Sequence, residues 1–235
     1  MTKNKGARVV ILGGGQAGAT AAFTLRQFGH EGEIIVIGDE ASPPYQRPPL
    51  SKAYLKGEMA ETALYIKPVE AYEKDNIALR TGIRADAIDR NAKEVSLSDG
   101  TTVSYDKLIL ALGSRPRYLP VEGADLDGVQ VLRTLADVDA LRPRASAGKK
   151  LVVIGAGYIG LEAAAVARGL DLGVTVLEAM DRVLARVTGP EISEFYQNYH
   201  RSQGVDVRLG AMMAGFEGEN GKLTGVKLSD GSIIP

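Results

Sequence analysis

The chain has 235 residues, 45% of them hydrophobic, which suffices for one large domain or two modest ones. A formal net charge of −1 with no block of like charge argues against a nucleic-acid or membrane-surface role. The lack of cysteine excludes structural disulfides, a CxxC redox pair, thiolate catalysis and cysteine-ligated metal or iron–sulfur centres.

The N-terminal "MTKNKGARVVILGGG" has basic residues, but its apolar run is short and leads straight into a glycine turn. It reads as a first strand rather than a signal peptide, and no run approaches transmembrane length. The expected location is the cytoplasm. Val9 to Leu12 is a continuous apolar run that fits a strand buried on both faces. Gly13, Gly15 and Gly18 follow with G-x-G-x-x-G spacing. From Gln16 to Phe28 the residues form a helix, with Ala22, Leu25 and Phe28 at helical intervals, and "EIIVIGD" is a second strand. The sequence therefore encodes a βαβ unit. Its first glycine permits a tight turn, the second lets backbone N–H groups approach a pyrophosphate, and the third lets helix pack on strand. The helix opening, with Gln16 and Ala17 beside these glycines, offers partial positive charge to phosphates. Asp39 ends the second strand 21 residues after Gly18, where a carboxylate would accept ribose hydroxyls.

Residues 43–52, "PPYQRPPLSK", hold four prolines and form a stiff extended arm that carries Arg47 and Lys52. Further on, "EVSLSDGTTVSYDKLILALG" has a D-G turn between alternating segments and then an apolar strand that ends at Gly113. A loop rich in Pro and Gly follows, "SRPRYLPVEGADLDG", and Thr134 and Asp137 have the spacing of a capping box that starts a helix. The fingerprint then returns. "KLVVIGAGYIGLEAAAVARG" carries Gly155, Gly157 and Gly160, with Tyr158 and Ile159 inside the turn, and "GVTVLEAMDR" ends its strand at Glu178, 18 residues after Gly160. A Walker-type phosphate loop does not fit at "PRASAGKK", because Pro143 and Lys150 stand where glycine and Ser/Thr are required. "LTGVKLSDGSIIP" repeats the "LSDG" of residues 97–100, but the strand matching "KLILALG" does not recur, so the second parallel sheet is expected to have an open position. His30 and His200 are the only histidines. Each has a polar neighbourhood and both read as ordinary surface residues. No metal site is expected.

The pattern predicts an α/β chain with two Rossmann-like three-layer domains, parallel sheets and β-hairpin insertions: an FAD-binding part over 1–115 and an NAD-binding part over 116–235. Two dinucleotide sites in one chain suggest two dinucleotides that pass electrons between them. Glu178 points to NAD at the second site, since a carboxylate there repels the extra ribose phosphate of NADP, and Arg182 four residues on could soften that preference.

Taken together, "GGGQAG", "GDEASPPYQRPPLSKAYL", "LILALGSRPR", "VLRTLADVDAL", "GAGYIGLEAAA" and "GPEISEFYQNYHRSQGVDVRLG" resemble the flavin-dependent ferredoxin reductases over nearly the whole chain. The absence of cysteine separates the chain from the disulfide-reductase branch that shares both fingerprints. The resemblance implies that the arm runs along FAD, that Arg47 contacts it, that Lys52 reaches the reactive flavin nitrogen, and that Glu162 pairs with Lys52 near the nicotinamide. It implies that Ala111 and Gly113 belong to a segment returning to the FAD pyrophosphate, where Leu112 replaces the usual threonine and its hydroxyl contact. It also places Arg133 on FAD and the Ala85 backbone on the adenine side. The activity implied is hydride transfer from NADH to FAD, then single electrons to a 2Fe–2S ferredoxin serving an oxygenase, with no nucleic-acid or membrane partner. An NADH oxidase, a quinone-type reductase and a redox-inert nucleotide-binding fragment are the alternatives. Full-length relatives continue into a second FAD segment and a C-terminal domain. The chain is therefore read as an N-terminal portion expected to bind FAD weakly alone.

Overall fold

The computed structural model describes residues 6–235. These form two compact units, one running to Arg47 and resuming over Ala60–Arg115, the other made of Pro48–Met59 and Pro116–Pro235. In chain order the elements are β1 (Val9–Leu12), α1 (Gln16–Gln27), β2 (Ile34–Ile37), α2 (Ala53–Lys56), α3 (Val69–Lys74), β3 (Ile77–Arg80), β4 (Ala85–Asp89), β5 (Glu94–Leu97), β6 (Thr102–Ser104) and β7 (Lys107–Leu110). There follow α4 (Leu135–Leu141), β8 (Lys150–Ile154), α5 (Tyr158–Gly169), β9 (Gly173–Leu177), α6 (Pro190–Ser202), β10 (Val205–Arg208), β11 (Met213–Glu219), β12 (Lys222–Leu228) and β13 (Ile233–Ile234).

In the first unit β3, β2, β1 and β7 form a parallel sheet in that order. Side chains alternate across a strand, so the unbroken apolar runs of β1 and β2 feed two cores. Val9, Ile11, Ile34 and Val36 meet Ala22 of α1 and Tyr72 of α3. Val10, Leu12, Ile35 and Ile37 meet Val95, Leu97 and Val103 of the antiparallel sheet β4–β5–β6. Helices, parallel sheet and antiparallel sheet thus make three layers. Arg26 closes the end of α1 by donating to four carbonyls, those of His30, Gly32, Asp75 and Asn76, at 2.6–2.7 Å. Phe28, expected within the helix, lies one residue past α1 and is 84% exposed.

The second unit repeats the plan. Its parallel sheet runs β10–β9–β8, with Leu161, Ala164 and Ala167 of α5 packed on Val174, Val176, Val205 and Val207. The other face carries Leu177 against Val226, Leu228 and Ile234 of β11–β12–β13. Among the described residues β8 lies at the sheet edge, whereas its counterpart β1 sits between β2 and β7. An apolar groove of about 610 Å³ opens there, lined in part by Val152, Ile154, Ile159, Ala163, Phe216 and Val226.

The two "LSDG" turns are near copies. Asp99 Oδ1 accepts from Thr101 N and Oγ1 at 2.9 and 2.6 Å, and Asp230 Oδ1 accepts from Ser232 N and Oγ at 2.8 and 2.6 Å. These bonds hold both carboxyls below their ordinary proton affinity, the side-chain hydroxyl contributing most. The histidines differ from the surface reading. His200 is 6% exposed on the inner face of α6, and burial pushes its imidazole below its usual value.

Candidate functional site

The first fingerprint is built from backbone. Gly13 follows β1 with φ +125°, donates to Ile37 O at 2.8 Å, and lies so close to the Ala111 carbonyl that a side chain there would overlap it. A Cβ at Gly18 would overlap the Gly13 carbonyl oxygen and sit 3.1 Å from its carbon. Around Gly15, by contrast, a Cβ would meet nothing within 4 Å. Gly15 is also the N-cap of α1 and brings no capping side chain. The first bond into the helix is Ala19 N to Gly15 O, at 3.0 Å. The amides of Gln16, Ala17 and Gly18 therefore take no backbone acceptor among the described residues. Bare donors, a glycine that opens on space and a helix dipole make a cradle for an anion such as a pyrophosphate.

The second fingerprint has the same construction. Gly155 has φ +101° and donates to Leu177 O at 2.7 Å. A Cβ at Gly160 would overlap the Gly155 carbonyl oxygen, while around Gly155 and Gly157 there is nothing within 4 Å. Gly157 caps α5 with no side-chain bond, and the first helical bond is Leu161 N to Gly157 O at 3.0 Å, which leaves the amides of exposed Tyr158 and Ile159 and of Gly160 without a backbone acceptor among the described residues. The contrast lies in α4, whose Thr134–Asp137 capping box forms as expected, with Asp137 also accepting from Arg133 N at 2.9 Å.

The acidic residues differ between the two sites. Glu178 directly follows β9, and its two carboxylate oxygens accept from Ala156 N at 2.8 Å and Met180 N at 2.9 Å. It is fixed at the mouth of the second turn. Arg182 is drawn elsewhere, donating to the carbonyls of Ala185 and Thr188 at 2.9 and 2.8 Å and to Ser193 Oγ at 2.8 Å. In the first unit β2 ends at Ile37, and Asp39 stands two residues beyond, exposed and accepting no hydrogen bond among the described residues. Gly38 takes the place next to the strand, where it and Gly14 approach so closely that a Cβ on Gly38 would sit 2.9 Å from Gly14 Cα. Glu40, which the sequence reading passed over, accepts from Arg47 and from the Tyr45 hydroxyl, and the Arg47 guanidinium lies 5.1 Å from the Tyr45 ring centre. Burial disfavours the Arg47 charge, but these partners more than offset it and raise its pKa. Ala111 continues the β7 ladder by donating to Leu12 O at 2.7 Å, Leu112 is exposed, and Gly113 has φ +66°. Ala85 opens β4 beside a bulge.

The arm is not extended throughout, contrary to expectation: Pro48–Ser51 closes into a 3-10 turn followed by α2, and this part belongs to the second unit, whereas residues up to Arg47 belong to the first. Its anchors are Tyr54, whose hydroxyl donates to Asp139 Oδ1 at 2.7 Å, and Arg142, 5.2 Å from the Tyr54 ring centre. So held, Lys52 Nζ reaches Glu162 Oε2 at 2.7 Å and Pro48 O at 3.2 Å. Ser51 Oγ donates to the same Glu162 oxygen at 2.5 Å. The paired residues, 110 positions apart in sequence, are brought together; Ser51 and Tyr54, which hold the arrangement, had no signal beyond their place in the arm.

The pyridine nucleotide-disulphide oxidoreductase family matches residues 7–235. The chain is 44% identical to the probable ferredoxin reductase CtmF of Castellaniella defragrans, over 99% of this chain and 57% of that protein. It is 45% identical to putidaredoxin reductase CamA of Pseudomonas putida, over 99% and 56%. Among solved structures it resembles the covalent putidaredoxin reductase–putidaredoxin complex, with a TM-score of 0.93 and 45% identity, covering 97% of this chain and 56% of that one. The chain thus spans a little over half the length of these relatives. No helix among the described residues is long and apolar enough to cross a membrane.

Proposed function

Because this chain belongs to the pyridine nucleotide-disulphide oxidoreductase family, we propose that it carries the nucleotide sites of an FAD-dependent, NADH-using ferredoxin reductase. FAD would supply the conversion of a two-electron hydride from NADH into single electrons for a 2Fe–2S ferredoxin. The chain's residues fit both nucleotides. The open edge at Gly15 and the amides of Gln16 and Ala17 suit the FAD pyrophosphate, with Asp39 free to accept ribose hydroxyls and Arg47 as a further contact. By the resemblance of their sequence segments alone, Ala85, Ala111, Gly113 and Arg133 would join the FAD set. Gly157, Tyr158, Ile159 and Glu178 suit NAD.

The observation that carries the reading is the Lys52–Glu162 ion pair. An ammonium beside the reacting ring would stabilise the electron density that builds up on reduction, and a carboxylate partner keeps that ammonium in place. At 49% and 32% side-chain exposure the pair is only partly dry, so it contributes little to fold stability, and its placement points to chemistry. The preference for NADH rests on two further facts. The Glu178 carboxylate is fixed by two backbone amides at the mouth of the second turn, from which it would oppose a 2′-phosphate, and Arg182 already has three acceptors. The ferredoxin partner is supported by the similarity of the chain to a probable ferredoxin reductase and to putidaredoxin reductase.

Cytochrome c reduction by NADH, with and without a 2Fe–2S ferredoxin, tests the assignment. Reduction that requires ferredoxin supports it. NADH consumption of equal rate without ferredoxin, with oxygen or a quinone as acceptor, replaces it with an oxidase or quinone reductase.

A further inference from the structure

We infer that Ser51 is a positioning residue, holding the Glu162 carboxylate in the one rotamer that meets Lys52. The inference rests on the reading that Lys52 and Glu162 are the working pair. Ser51 is 3% exposed, and its hydroxyl donates to Glu162 Oε2 at 2.5 Å, the same oxygen that Lys52 Nζ reaches at 2.7 Å. Among the described residues Glu162 has no other hydrogen-bond donor.

The two donors differ in what they can do. Lys52 ends a four-carbon stem, is half exposed, and meets both Glu162 and Pro48 O, so by itself it does not fix the direction of the carboxylate. Ser51 is short, buried and on the 3-10 turn, and among the described residues its hydroxyl bonds to Glu162. A buried hydroxyl that lost this acceptor would be left unsatisfied, which makes its bond to a carboxylate the durable one of the pair. Glu162 is therefore held where Lys52 meets it, and the ammonium has a fixed target. Neighbouring positions 51 and 52 thus divide the work: one aims the carboxylate and the other carries the charge. A serine that only filled space would serve equally well as alanine or cysteine.

The test uses the full chain with Ser51→Ala, Ser51→Thr and Ser51→Cys, each checked for folding by circular dichroism. In the chain without flavin, the Nζ–Hζ NMR cross-peak of Lys52 reports whether the ammonium is held. It should be present in the unaltered chain and in Ser51→Thr, which keeps the hydroxyl, and lost in Ser51→Ala and Ser51→Cys. In the FAD-loaded chain, the limiting rate of flavin reduction by NADH should fall about three- to tenfold in Ser51→Ala, with NADH affinity within about twofold, the size expected for one charge-assisted bond at a partly exposed site. Retention of the cross-peak in Ser51→Ala, or its loss in Ser51→Thr, overturns the inference. If Ser51→Ala does not fold, Ser51→Cys against Ser51→Thr decides by the same criteria. Failure of NADH to reduce flavin in the unaltered chain would instead sink the proposed function, and the flavin-free cross-peak would still judge Ser51.

Discussion

Two glycines of the first fingerprint, three residues apart, should respond to alanine in opposite ways. At Gly18 the new methyl would sit 3.1 Å from the Gly13 carbonyl carbon and overlap its oxygen, and the obstacle is backbone rather than a flexible side chain. Helix α1 must move off β1 by roughly 1 Å. Overpacking of this kind costs about 3 kcal/mol, at the upper end of the usual range because neither partner can rotate away. For a chain of this length that corresponds to a fall in Tm of about 6–12 °C. At Gly15 the backbone is extended, with φ −102°, and a methyl would meet nothing within 4 Å. The loss of a glycine N-cap and the gain from a stiffer unfolded chain nearly cancel, so stability should stay within about 0.5 kcal/mol. That methyl, however, fills the space through which a pyrophosphate reaches the bare amides, and the loss of one charge-assisted bond weakens FAD binding by about tenfold or more. Melting by circular dichroism and FAD titration by fluorescence quenching measure both quantities on both variants. If Gly15→Ala melts as early as Gly18→Ala while its FAD affinity is unchanged, the open glycine is a packing residue and the cradle argument fails.

Glu178→Ala should lower the preference for NADH over NADPH by about tenfold, measured as the ratio of dissociation constants, because the fixed carboxylate no longer opposes a 2′-phosphate. An unchanged ratio would show that Glu178 does not face the ribose. The Tyr72 hydroxyl is buried without a hydrogen-bond partner among the described residues, so Tyr72→Phe should stabilise the fold by about 1 kcal/mol in urea unfolding. The same burial pushes Tyr72 up to about 12, above its unfolded value of 10.0. The native state then keeps a proton that the unfolded state has lost, so stability should fall by about 2–3 kcal/mol as pH rises from 10 to 12. Tyr72→Phe should remove that dependence. His200 has the reverse sign at the acid end. Its folded pKa lies below the model-peptide value of 6.5, the unfolded state takes up a proton that the native state refuses, and stability is lost as pH falls below 6.5. Urea midpoints across that range in the unaltered chain and in His200→Gln check it, and a slope that survives the substitution would assign the effect to another group.

What the sequence made legible was local and backbone-driven. The apolar run Val9–Leu12 is β1 to the residue, and the two glycine turns fold alike because their spacing leaves the chain one sterically open route from strand to helix. The Thr134–Asp137 box was readable because both partners lie within one turn. Contacts across long separations were less accessible. Lys52 and Glu162 were paired only through resemblance, since nothing in periodicity joins positions 110 apart. Glu40, Tyr45 and Ser51 were missed for a different reason: each acts by aiming another side chain, and such roles leave no spacing signature. His200 misled because it was judged from its neighbours in sequence, whereas burial is decided by which side of the helix faces the sheet, and Phe28 because helical spacing does not show where a helix ends.

The central proposal is that this chain carries the sites at which NADH would pass electrons onto FAD. Anaerobic titration of the FAD-loaded chain with NADH, followed in the visible spectrum, tests it most directly. The flavin absorbance should bleach with about one equivalent of NADH per bound flavin and return when oxidised 2Fe–2S ferredoxin is added. Flavin that stays yellow at full occupancy under excess NADH would contradict the account.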